Sequence, residues 1–98
     1  MTFPFMPTGA RVDLSATTTT SRIALPINDY GSLRVSNASG VTVYLRFGDA
    51  SVTATTAAGL DLLPGTVETL RVPAGATHLA GITASGTATV GVTPGQGV

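Results

Sequence analysis

The chain has 98 residues, 43% of them hydrophobic and only 10% charged, with zero formal net charge and no cysteine. That length fits one small domain with a single modest core. Five arginines, no lysine and five carboxylates, all scattered singly, exclude the cationic surface on which nucleic-acid affinity rests. No apolar run approaches the roughly 18 residues of a membrane-spanning helix, and without Cys there is no disulfide, thiolate nucleophile or Cys-based metal site.

Residues 1–9 (MTFPFMPTG) are a block of their own. They hold Phe3, Phe5, Met1 and Met6, and Pro4 and Pro7 hold the chain extended. No basic n-region precedes an apolar run, so no secretory leader is expected. The block is either a frayed terminus or an apolar arm that buries Phe3, Phe5 and Met6 on a neighbour. A single β-domain is expected over residues 10–98.

Residues 11–16 (RVDLSA) alternate, with Val12, Leu14 and Ala16 on one face, the period of a half-buried strand. Four threonines follow at 17–20, then a second strand at 21–25 that Pro26 limits or ends. Residues 28–31 (NDYG) are a turn cluster. Residues 32–36 and 41–47 predict a hairpin around the turn at 37–40, with Val41, Val43, Leu45 and Phe47 facing the core and Thr42, Tyr44 and Arg46 facing out. Residues 51–55 read as a short, weakly patterned strand. Residues 56–66 read as irregular, with Pro64-Gly65 as a turn pair. Residues 67–72 resume a strand. Residues 77–83 and 87–93 form a last hairpin across 84–86, and residues 94–98 read as an unordered tail. The spacing predicts an all-β domain, a single compact β-sandwich or jelly roll of about seven to eight short antiparallel strands. A small barrel shares this pattern.

Chemistry is sparse. His78, the single His, falls on a strand face with Ala80 and Ile82, with no partner nearby in sequence. Asp13, Asp29, Asp49, Asp61 and Glu68 lie apart and show no calcium-loop spacing. No nucleophile elbow and no glycine-rich phosphate loop is present. The expectation is therefore no enzyme, no cofactor, no metal and no small-molecule substrate. Asn37-Ala38-Ser39 matches a glycosylation acceptor but reads as a turn. Arg34 and Arg46 are expected on paired strands with Tyr44 on one outer face, either as a contact patch or as a solvated face. Exposed sheet edges are usually protected by Lys. This chain has none, which favours edges and faces covered by other copies or by a partner.

The runs GSLRVSNASGVTVYLRFGDASVTAT and DLLPGTVETLRVPAGATHLAGITASGTATVGVTPGQG, residues 31–55 and 61–97, resemble small structural proteins of tailed bacteriophages. Proteins of this kind include capsid decoration (cement) proteins and tail or fibre accessory proteins. The resemblance implies a virion component on the capsid surface, a head decoration protein that binds the major capsid protein as a trimer at local three-fold positions. The alternative is a tail, baseplate or fibre module for a host receptor or glycan, for which only Tyr30 and Tyr44 offer stacking rings. The residues expected to touch neighbours are Phe3, Phe5 and Met6 first, then Arg34, Tyr44 and Arg46. The arm lies outside the resemblance, so its role rests on composition.

Overall fold

The computed structural model describes residues 5–25, 32–57 and 59–96. Nine strands are formed: β1 (Met6–Pro7), β2 (Val12–Ala16), β3 (Ser21–Ala24), β4 (Ser32–Asn37), β5 (Val43–Gly48), β6 (Leu60–Leu62), β7 (Thr66–Arg71), β8 (His78–Thr83) and β9 (Ala88–Gln96). They make two antiparallel sheets. Sheet A has the order β1-β9-β4-β7, with β2 also on β9, and sheet B the order β3-β8-β5-β6. β1 and β2 share one edge of β9, β1 against Gly95 and Gln96 and β2 against residues 88–92.

The topology is that of a long two-stranded ribbon wound on itself. Its antiparallel rungs are β5–β6, β4–β7, β3–β8 and β2–β9. Successive rungs fall in alternate sheets, and the pairs β5–β8 and β4–β9 close each sheet. This is the winding of a jelly roll, an all-β sandwich as the alternation of the sequence requires.

Binary pattern sets which side chains meet between the sheets. Leu14, Leu33, Val35, Val90 and Val92 point inward from sheet A, and Val43, Leu45, Leu62 and Leu79 from sheet B, all at most 2% exposed. Val41 and Phe47 are partly buried against this core, so the expected inner face of residues 41–47 is the observed one. Gly81 stands at an inward position of β8, where a Cβ would lie 2.7 Å from Leu14 Cδ2. Its missing side chain makes room for a leucine of the opposite sheet.

Two expected hairpins are arches instead. Residues 32–36 and 41–47 do not pair, because β4 belongs to sheet A and β5 to sheet B. Likewise β8 and β9, joined across 84–86, lie in different sheets. The cause is visible at the first arch. Asn37 is 1% exposed. Its Nδ2 donates to Val41 O at 2.8 Å and Leu62 O at 3.0 Å, and its Oδ1 accepts from Ser39 N at 3.1 Å and Ser39 Oγ at 2.6 Å. One amide thus ties the end of β4 to the chain crossing over and to β6 of the other sheet. The acceptor pattern at Asn37 is structural, with the nitrogen held inside the fold. At the second arch Thr83, also 1% exposed, donates Oγ1 to Gly86 O at 2.7 Å, and Gly86 takes φ 77°.

Three smaller expectations also change. Residues 51–55 form no strand element, residues 56–66 contain β6, and β9 continues through Gln96 where an unordered tail was expected. The Pro94 carbonyl within β9 accepts from Thr8 N at 2.9 Å, so the N-terminal segment pairs along this stretch. Phe3 and the turn cluster at 28–31 lie outside the described residues.

Asn37→Ala removes donors from buried carbonyls and is expected to lower unfolding free energy by about 1–3 kcal/mol, measurable by urea denaturation. Asn37→Asp points a carboxylate oxygen at those carbonyls in a dry site, so its folded pKa rises above the unfolded value of about 3.9. That variant is most stable below pH ~4 and loses stability as pH rises between the two pKa values, whereas the parent shows no such slope from this site.

Candidate functional site

The sandwich offers two outer faces, and the sequence-expected contact residues are divided between them. The outer face of sheet A is built on small residues. Two glycines of β9 open slots in it. At Gly95 a Cβ would clash with the Phe5 ring and Met6 O, and at Gly91 it would lie 2.8 Å from Arg11 Cδ and 2.9 Å from Ser36 Oγ. Phe5 is therefore seated, half-buried, over Gly95, while Met6 beside it remains 49% exposed. Of the arm, the described residues 5–9 include β1, and the Phe5 ring rests on its own sheet. The Arg11 stem crosses Gly91 and its Nε meets Asp13 Oδ1 at 3.0 Å. That pair is 64% and 50% exposed, so it adds little stability.

Arg34 is exposed on the same face, between Thr93 of β9 and Thr69 of β7 in register. Arg71, opposite Ser32, is its diagonal neighbour. Diagonal cross-strand positions lie about 7–8 Å apart. Among the described residues neither arginine has an ion-pair partner. Like charges this close repel, so the fold keeps both guanidinium groups in water.

The outer face of sheet B carries Tyr44 and Arg46 from β5, Ala80 and His78 from β8, and Arg22 from β3, all in outward register. Its own chain covers much of it. Residues 49–57 fold back from the end of β5. A Cβ on Gly48 would lie 2.6 Å from Val52, Arg22 Nη1 reaches Val52 O at 3.5 Å, and Ala54 N donates to Thr20 Oγ1 at 2.8 Å. Ala80 is consequently 0% exposed although it sits on an outward position. Arg46 stays exposed at the rim of this loop, and Tyr44 is half-buried.

Arg34 and Arg46 are therefore not on paired strands and do not share a face. The expected patch of Arg34, Tyr44 and Arg46 is split, with Arg34 on sheet A beside Phe5 and with Tyr44 and Arg46 together on sheet B. The physical reason is the arch at Asn37, which sends the two strands into opposite layers.

His78 keeps its expected face with Ala80 and Ile82, half-buried, its Nδ1 2.8 Å from Thr77 Oγ1. Nearby Asp49 begins the covering loop. Its Oδ1 accepts from Ser51 Oγ at 2.7 Å and Ser51 N at 2.9 Å. These hydrogen bonds, with a smaller attraction to His78, hold its carboxyl below the ordinary 3.8.

Three residues escaped the sequence reading. Leu60, Leu63 and Val67, on β6, β7 and the turn between, are with Met6 the exposed large hydrophobics among the described residues. Asp61 and Glu68 are exposed on the same two strands. The signal was present in VETLRV, where Glu68 breaks the alternation. Opposite Val35 in register, it marks a core-facing position on an edge strand.

Comparison with protein-family models, curated proteins and solved structures found no match to this chain.

Gly95→Val should expel the Phe5 ring, read as loss of NOEs between the ring and residue 95 with the rest of the fold intact. In an NMR titration the Asp49 carboxyl should titrate below 3.8, and Ser51→Ala should return it toward that value. Because the folded pKa is depressed, the contribution of Asp49 is present above 3.8 and is lost as pH falls through the folded value.

Proposed function

We propose that this chain is a structural protein of a tailed-phage virion, a head decoration protein that binds the major capsid protein on the outer capsid surface. The observation that carries the reading is the arm-bearing face of sheet A. A short strand at the sheet edge brings Phe5 over Gly95 and leaves Met6 49% exposed, and Arg34 and Arg71 stand exposed on the outer face that the Phe5 ring covers in part, with no ion-pair partner among the described residues. Aromatic rings, Met and Arg are the residue types enriched where proteins meet. The resemblance of residues 31–55 and 61–97 to phage structural proteins supports the same reading, as does a surface with no lysine to keep its edges apart.

The mechanism is linkage. A protein that binds only the assembled lattice stabilises that lattice, by about 2.7 kcal/mol per site when free protein is at 100 times its dissociation constant. Arranged as a trimer at local three-fold positions, each copy bridges adjacent capsid subunits, so separating the subunits requires breaking its contacts. Phe5 and Met6 form the apolar part of the contact and Arg34 the polar part. Tyr44 and Arg46, on the opposite face, are left for contacts on the far side.

Cosedimentation with capsids assembled without this protein tests the reading. Deleting residues 1–9 should weaken binding by about tenfold or more, since a buried aromatic anchor is worth 2 kcal/mol or more at an interface. Gly95→Val should weaken it in the same direction without removing any arm residue. Undiminished binding of both variants would remove the arm from the contact, and no binding by the parent chain would sink the proposal.

A further inference from the structure

An open sheet edge is a template for another strand, and the edges of this sandwich are not equally open. Among the described residues, sheet B ends on β3, four residues long, and on β6, three residues long. One side of sheet A ends on β1, two residues long, and on β2, five residues long, where Ser15 O already accepts from Ser21 Oγ at 2.6 Å. The other side ends on β7, six residues and the longest of these edges. The chain has no lysine to protect it. It carries Glu68 instead. The register partner of Glu68 is Val35, which is 0% exposed between the sheets, so Glu68 takes a core-facing position. Leu70 shares that face and packs on the core, whereas Glu68 is exposed.

We infer that Glu68 keeps β7 from pairing with the β7 of a second copy of this chain. A core-facing side chain on an edge strand reaches water past the open flank. A strand added along β7 closes that flank and encloses the carboxylate between the layers, and a charge enclosed without a partner opposes the pairing. Register sharpens the effect. Antiparallel pairing has to match faces, because a slip of one residue sets the core face of one copy beside the outer face of the other. That rule excludes the fully overlapped register, which is centred between residues 68 and 69. The registers on either side of it centre on Glu68 or on Thr69. The first sets Glu68 directly opposite Glu68 of the second copy, and like charges so placed repel. The second sets each Glu68 opposite Leu70 of the other copy. Both enclose a pair of carboxylates. With an uncharged residue at position 68, residues 66–70 would be an uncharged run rich in β-formers, a composition prone to add strands to itself. Glu68 acts on β7 alone and leaves both outer faces free for other contacts, so the inference does not depend on the virion reading.

Sedimentation velocity of the full chain, from low micromolar to millimolar concentration, with hydrogen exchange read at residues 66–71, tests it. Glu68→Val should add a species of twice the parent's sedimenting mass and tighten self-association by about tenfold or more. The backbone amides of residues 66–71 should exchange more slowly as that species forms. Glu68→Thr, also uncharged and β-forming, should act in the same direction more weakly. Glu68→Lys should sediment as the parent does, because a charge of either sign blocks the pairing. Thr69→Val, which puts the same valine on the outer face of the same strand, should also leave the parent's behaviour unchanged. Position 68 is exposed, and thermal unfolding at low micromolar concentration shows that each variant is folded. The inference is overturned if Glu68→Val and Glu68→Thr both sediment as the parent does at millimolar concentration. It is equally overturned if Glu68→Lys or Thr69→Val associates as strongly as Glu68→Val, or if Glu68→Val associates without slower exchange at residues 66–71.

Discussion

The side-chain amide of Asn37 is the constraint on which the rest of this structure depends. A ribbon of paired strands becomes a sandwich only if the chain crosses between layers at each rung, and each crossing leaves backbone groups without sheet partners. Buried, those groups must be hydrogen-bonded or the fold loses the full cost of their desolvation. Asn37 meets that demand from the last residue of β4, joining the crossing segment and β6 through its nitrogen and the turn through its oxygen. Thr83 does the corresponding work at the β8–β9 crossing, where its own N–H also reaches Thr17 O at 2.8 Å, linking a third crossing to the second. These two are the buried polar side chains among the described residues, and both stand where the chain changes sheet.

The alternation of residues 41–47 was fully legible, since period 2 fixes which side chains face inward whatever the strand pairs with. What the pattern cannot say is which strand lies alongside. Asn-Ala-Ser-Gly is good turn chemistry for a hairpin and equally good for an arch, so the same four residues misassigned two strands to one sheet. The error carried into the candidate site, because Arg34 and Arg46 were placed together on the strength of that hairpin. β6 was hidden for another reason. Three residues are too few to show a period, and Pro64-Gly65 after them reads only as a turn. β9 was cut short because Pro94 and Gly95 look like loop residues. Gly95, like Gly91 within the expected strand, is a slot, the one for Phe5 and the other for Arg11, and the carbonyl of Pro94 accepts from Thr8 N.

Those glycines connect fold to function. A sheet face lined with larger residues would hold the arm off. Gly91 and Gly95 let the Arg11 stem and the Phe5 ring lie flat, so this ring is placed on the face before any partner arrives and less conformational entropy is lost on binding. The opposite face is treated differently, since residues 49–57 already cover Ala80 there and only Arg46 and part of Tyr44 remain accessible. A molecule with one open face and one self-covered face has a direction. That asymmetry suits a component with neighbours on defined sides.

The most direct test of a lattice role is the amount of this chain in purified particles relative to the major capsid protein, by quantitative mass spectrometry. A decoration protein should be present in a fixed ratio comparable to the number of capsid subunits, and should leave the particle together with lattice stability when stripped. A handful of copies per particle would place it at a tail or a vertex instead, and its absence from the particle would contradict the account.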